Sequence, residues 1–151
     1  MVITAGTGSP LNIPQLFKSI DRDCPAAYFV VQHGPEWMMD VLIHQIRLET
    51  GFPCQMASQN LQPEVGHIYL APSDHHLVIN PPPVTMGINL NPKKNFMRPS
   101  ADILFDSAGI VFGKYCVAVI LSGMGRDGAQ GAGTIKAGGG AVFVESAGKT
   151  S

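Results

Sequence analysis

The sequence predicts a single three-layer α/β domain, with a mostly parallel, doubly wound sheet and a small antiparallel hairpin. Three observations carry that reading. Short apolar runs alternate with helical patterns from Val2 to Val144, as in strand–helix–strand units built on a parallel sheet with right-handed crossovers. Val117 to Leu121 is five consecutive aliphatic residues, the pattern of a strand covered on both faces. That run breaks into Ser122-Gly123-Met124-Gly125-Arg126-Asp127-Gly128, a glycine-rich turn able to swing the chain sharply into a helix. With 151 residues, 45% hydrophobic and 14% charged, the chain suits one domain spanning residues 1–151, without linker or internal repeat.

The elements follow in order. Val2 to Ala5 reads as a first strand, and Gly6-Thr7-Gly8-Ser9-Pro10 as a tight turn into a helix from about Leu11 to Ile20. Pro10 suits the first helical turn, and Ser9 is placed to cap it. Ala26 to Gln32 is the second strand, with His33-Gly34-Pro35 as its exit. A helix from Glu36 to Glu49 sets Trp37, Met38, Val41, Leu42, Gln45, Ile46 and Leu48 at near-helical spacing, and Gly51-Phe52-Pro53 ends it. Cys54 to Ala57 and Gly66 to Ala71 read as strands, with His76 to Ile79 as an antiparallel partner of the latter across Ser73-Asp74-His75. Asn80 to Met97 reads as an irregular loop with a short strand near Val84 to Gly87. Ser100 is placed to cap a helix to about Gly109, with Ala101, Leu104, Phe105 and Ala108 on one face. Cys116 to Ser122, Ala129 to Ala137 and Ala141 to Val144 complete the order as strand, helix and strand.

Composition narrows the function. A net charge of −1 gives no basic field to hold nucleic acid or an anionic membrane. No apolar stretch approaches the ~20 residues that span a bilayer, so neither nucleic acid nor membrane insertion is expected. Met1 to Gly6 lacks the basic and long apolar regions of a signal peptide. Three widely spaced cysteines, Cys24, Cys54 and Cys116, read as reduced thiols and favour a cytoplasmic setting. His75 and His76 are adjacent, so their side chains diverge on a strand, and no Cys or carboxylate stands at ligand spacing; no metal and no cofactor are expected.

Chemistry in α/β folds collects at the carboxyl ends of parallel strands, where His33 and Asp127 both fall. On residue type alone His33 is open to being an ordinary polar residue, and Asp127 a turn-former or helix cap. Gly123-x-Gly125-x-x-Gly128 after a strand, with Glu145 near the end of the next, also matches a dinucleotide fingerprint. That reading sets the Asp127 carboxylate against a pyrophosphate, an electrostatic mismatch.

Four segments narrow the choice further: Ile3-Thr4-Ala5-Gly6-Thr7-Gly8-Ser9, Val30-Val31-Gln32-His33-Gly34-Pro35, Arg98-Pro99-Ser100-Ala101-Asp102-Ile103-Leu104-Phe105, and Ile120 to Gly128. In this order they resemble the CheB-type chemotaxis protein-glutamate methylesterases, and Gly66 to His76 is similar to that family's central strand and following turn. The resemblance implies a Ser-His-Asp hydrolase acting on glutamate methyl esters of chemoreceptor helices, with His33 and Asp127 as catalytic histidine and aspartate. It also implies an oxyanion or substrate-binding role for Thr7, the Met124 amide and Arg98. The Arg98 side chain equally suits locking its loop by a salt bridge.

The sequence departs from the family at the nucleophile. The family carries a serine directly before the Thr-Gly pair, where this chain has Gly6. Loss of a triad serine costs on the order of 10⁶ in rate, so weak or absent activity is expected unless Ser9 or Thr7 substitutes. A non-catalytic chemoreceptor-binding module is the alternative. The chain ends at Ser151, before the family's closing helix, which predicts an uncovered sheet edge open to self-association. No receiver domain is expected ahead of Met1, so the regulation by an attached receiver that the resemblance implies is not expected within this chain.

Overall fold

A computed structural model describes residues 1–6, 12–121 and 127–145. Six strands form one sheet: β1 (Val2–Ala5), β2 (Tyr28–Gln32), β3 (Cys54–Met56), β4 (Ile68–Leu70), β7 (Val117–Leu121) and β8 (Ala141–Val144), in the spatial order β3-β4-β2-β1-β7-β8. Every pairing in it is parallel. β5 (His76–Asn80) and β6 (Thr85–Asn89) form a separate antiparallel pair. Helices α1 (Asn12–Ser19), α2 (Glu36–Thr50), α3 (Ala101–Phe112) and α4 (Ala129–Ala137) complete the described elements, with one 3₁₀ turn at Gly113–Tyr115.

Strand alternation sorts the core into two layers. Ile3, Ala5, Tyr28, Val30, Ile68, Leu70, Val119 and Leu121 pack with Ile13 and Phe17 of α1 and with Met39, Leu42, Ile43 and Ile46 of α2. Val2, Phe29, Val31, Tyr69 and Ala118 point the other way, onto Leu104, Phe105 and Ala108 of α3, Ile135 of α4, and Leu77, Ile79 and Met86 of the hairpin. Pleating sends successive residues to opposite faces, and apolar side chains on both faces explain why these strands read as near-continuous apolar runs. Fully burying each Val, Leu, Ile or Phe contributes about 1.5–3 kcal/mol.

The chain passes from β1 outward to β2, β3 and β4 on one side, then crosses back to β7 on the other side of β1. The direction of winding therefore reverses at β1, and the carboxyl ends of β1, β2 and β7 meet around that reversal, where open α/β sheets bind ligands. Register makes the meeting close: Ala5 pairs with Gln32 on one side and Leu121 on the other.

Two expectations are corrected. His76 to Ile79 does not pair with the Gly66 to Ala71 strand, because both sides of β4 are taken by β2 and β3. It pairs instead with β6, the short strand expected near Val84 to Gly87, which runs Thr85–Asn89. On α2 the buried stripe is Met39, Leu42, Ile43 and Ile46, while Trp37, Val41 and Leu48 are exposed. Residues 39, 42, 43 and 46 recur at helical spacing and form a complete apolar stripe without the other three. Among the described residues β8 pairs with β7 alone and exposes Phe143 and Val144.

Close packing of α4 on α3 depends on small residues. A Cβ at Gly131 would lie 2.4 Å from Phe105 Cβ and 3.1 Å from the Asp102 backbone, whereas one at Gly133 would meet nothing within 4 Å. Gly131→Ala is expected to cost about 1–3 kcal/mol through overpacking. Gly133→Ala, in the same helix, is expected to add about 0.5–1 kcal/mol through lowered chain entropy. Urea unfolding of the two variants beside the parent checks both signs.

Candidate active site

His33 is the first residue after β2. Carried one step past the strand, the alternation of Phe29 and Val31 turns it onto the α3 side of the sheet. There its Nε2 lies 2.9 Å from Asp127 Oδ2 and 3.2 Å from the Pro99 carbonyl oxygen. A carbonyl can only accept, so Nε2 carries the hydrogen and Nδ1 of the neutral ring keeps its lone pair. A histidine so arranged can take a proton at Nδ1 while a carboxylate steadies it from behind, which is the base-and-orienter half of a catalytic triad. The ring is used in the reverse sense from chymotrypsin-type triads, where Nδ1 faces the aspartate.

Asp127 follows β7 by six residues and is only 7% exposed at its side chain. Each of its oxygens takes two hydrogen bonds. Oδ1 accepts from Ser100 Oγ at 2.9 Å and the Asp102 N–H at 3.2 Å, and Oδ2 accepts from the Ala101 N–H at 2.7 Å and from His33. Burial alone pushes the carboxyl pKa up, but the bonds from His33, Ala101, Asp102 and Ser100 together outweigh it and hold Asp127 below its ordinary 3.8. The positive end of α3 acts in the same direction.

Asp127 therefore caps α3, a helix far from it in sequence. Ser100, expected to cap that helix with its own side chain, makes no such bond; its hydroxyl donates to Asp127 instead. The same exchange runs in reverse at α4. Asp102 Oδ1 accepts the N–H groups of Gly128 at 3.0 Å and Gly131 at 2.8 Å, so a carboxylate from α3 caps α4. Gly128 has φ +101 and a Cβ there would press on Thr4 at 3.3 Å, so the turn needs glycine for both conformation and space. With Asp102 seated on the first turn of α4, the anion position that a dinucleotide pyrophosphate would require is already filled by the protein.

Two residues given no catalytic role from the sequence, one of them the His76 set aside as a metal ligand, hold the surroundings. Gln32 Nε2 donates to the Gly6 carbonyl at 3.0 Å and the His33 carbonyl at 3.1 Å, tying the exit of β1 to the exit of β2. His76, fully buried, accepts the Ser100 N–H at Nδ1 (3.2 Å) and donates from Nε2 to the Pro92 carbonyl (3.0 Å), fixing Ser100 from behind. Arg98 bonds Asp74 Oδ1 through Nε and Nη2, each at 3.0 Å, and the carbonyls of Leu90 and Asn91 through Nη1. That is the loop-locking contact, and the Arg98 hydrogen bond lowers the Asp74 pKa. Thr7, Ser9 and Met124 lie outside the described residues. Burial pushes the Cys54 thiol up to about 12 against the opposing pull of Arg47, and raises that of Cys116, so both behave as inert core groups. Among the described residues no group of three or more His, Cys, Asp or Glu could hold a metal ion, and no helix is long and apolar enough to cross a membrane.

The chain is similar to known proteins over nearly its whole length. Residues 1–150 match the family model described as CheB methylesterase. The chain is 34% identical over 145 residues to the protein-glutamate methylesterase FrzG of Myxococcus xanthus, covering 96% of this chain and 43% of that protein. It is 31% identical over 147 residues to a protein-glutamate methylesterase/protein-glutamine glutaminase of Thermotoga maritima, again covering 96% of this chain and 43% of that protein. It also superposes on the crystal structure of the Thermotoga maritima CheB methylesterase catalytic domain with a TM-score of 0.88 and 31% identity, covering 93% of this chain and 76% of that one. The chain thus spans less than half the length of the curated relatives it matches.

The Asp127 network makes stability depend on pH with a definite sign. Its folded-state pKa is lowered, so the unfolded chain binds the proton more readily; the stabilisation is complete above the unfolded value of about 3.9 and is lost as pH falls through the folded value. Asp127→Asn is expected to cost about 1–3 kcal/mol at pH 7 by leaving buried donors poorly matched. Its deficit should shrink as pH falls below the unfolded value and through the lowered folded one, as measured by urea midpoints across the range.

Proposed function

This chain belongs to the CheB methylesterase family, and from that premise we propose that it is the ester-hydrolysing domain of a cytoplasmic protein-glutamate methylesterase whose nucleophile position is vacant at Gly6. The substrate class is a γ-methyl ester of glutamate on chemoreceptor helices, the process bacterial chemotaxis, and no cofactor takes part. The observation that carries the reading is the His33–Asp127 pair, with the imidazole tautomer set so that Nδ1 is the basic nitrogen.

The strand geometry supports the vacancy. Val2 points to the α3 side and Ile3 to the other, so the same alternation puts a side chain at position 6 on the face occupied by His33. A serine hydroxyl there would add to the ester carbonyl while passing its proton to Nδ1. Collapse of the tetrahedral adduct would break the bond to the methoxy oxygen, the proton leaving with methanol, and water would repeat the sequence to release the carboxylate. Glycine supplies no hydroxyl, so the native chain is weak or inactive unless Thr7 or Ser9 acts in its place. In this reading Arg98 braces the loop that delivers Pro99 and Ser100, and a substrate carboxylate competes with Asp74 for its guanidinium.

Gly6 also favours a second reading, a receptor-binding module that keeps the framework of the site without the reaction. The two separate in one experiment, methanol release from a receptor fragment carrying glutamate methyl esters. Gly6→Ser is expected to raise the rate by a factor of about 10³ or more, out of the on-the-order-of-10⁶ cost of losing a triad serine. Equal inactivity of parent and variant, with saturable binding of the fragment, would establish the module instead. Should the native chain be active, Thr7→Val and Ser9→Ala identify the hydroxyl responsible.

A further inference from the structure

Asp102 is fully buried, yet it lies in neither the His33–Asp127 pair nor the position of the missing hydroxyl. Its hydrogen bonds nonetheless close a ring with Asp127. The Asp102 N–H donates to Asp127 Oδ1 at 3.2 Å, and the Gly128 N–H, one peptide beyond Asp127, donates back to Asp102 Oδ1 at 3.0 Å. Gly131 adds a second bond to the same oxygen at 2.8 Å, and Asn95 Nδ2 approaches Oδ2 at 3.3 Å. We propose that Asp102 is a positioning residue for the reaction, holding the peptide after Asp127 so that the Asp127 carboxylate stays seated on His33.

Two physical facts carry this beyond ordinary helix capping. Helix α4 has no side-chain cap from its own N-cap residue, which is Gly128 in a left-handed conformation, so its first N–H groups depend on Asp102. Asp127 precedes that glycine directly, so what holds Gly128 also limits where Asp127 can sit. The contact operates through acceptor atoms: Asp102→Asn keeps an oxygen for Gly128 and Gly131, whereas Asp102→Ala removes it. Because a misplacement of about 1 Å at a reacting group can cost ~10²-fold in rate, a slack Gly128 is a kinetic defect as well as a structural one.

The proposal rests on the hydrolase reading for its kinetic consequence but not for its geometry, and the test keeps the two apart. Proton NMR of the full-length chain, with ring nitrogens assigned, reports the His33 Nε2–H signal, and Asp127→Asn marks where that signal moves when its partner is weakened. Asp102→Ala is expected to move the signal toward the Asp127→Asn position, and Asp102→Asn to leave it near the parent. In a Gly6→Ser background the same pair should differ in kcat, with Asp102→Ala lower by about 10- to 100-fold and KM within about twofold. If Asp102→Ala does not fold, Asp102→Ser, whose shorter hydroxyl does not reach both amides, takes its place with the same expectation. A His33 signal unmoved by the folded Ala or Ser variant, or moved equally by the Asn variant, overturns the proposal. An inactive Gly6→Ser parent overturns the hydrolase reading and leaves the NMR result to decide the geometry alone.

Discussion

The mutual capping of α3 and α4 by Asp127 and Asp102 is the constraint on which the rest of the site depends. Each carboxylate lies at the start of one helix and accepts N–H groups at the start of the other. Both helix starts would otherwise be buried with unsatisfied donors, and a buried donor without a partner costs about 1–3 kcal/mol. One arrangement thus solves two problems: it closes α4 onto α3, and it fixes a negative charge beside His33.

The sheet supplies the other half of the geometry. Because β1 is the point at which the winding reverses, the exits of β1, β2 and β7 converge without any long excursion of the chain. Gln32 then ties two of those exits together through the carbonyls of Gly6 and His33. Behind them Arg98 and His76 fix the approach to α3, one through Asp74 and backbone carbonyls at the surface, the other through Ser100 and Pro92 in the interior.

Much of this was legible in the sequence, in proportion to how local each signal is. Near-continuous apolar runs identified β1, β2 and β7, since burial on both faces leaves a one-dimensional signature. His33 and Asp127 could be paired only by resemblance to a family, because they stand 94 positions apart and no spacing rule spans such a gap. Ser100 was recognised at the right helix start with the wrong bond, as a local capping pattern cannot foresee a carboxylate arriving from another strand. Asp102 left no usable signal, since an acidic residue in a first helical turn is ordinary. The misplaced partner of β5 has the same origin: hairpin logic weighs neighbours in sequence, while β4 had already spent both edges on β2 and β3.

Two of the four bonds that seat Asp127 come from the main chain, at Ala101 and Asp102. A peptide N–H is present whatever side chain is attached to it, proline excepted. This anion seat is therefore written into the path of the backbone, and it can outlast a long drift of the side chains around it.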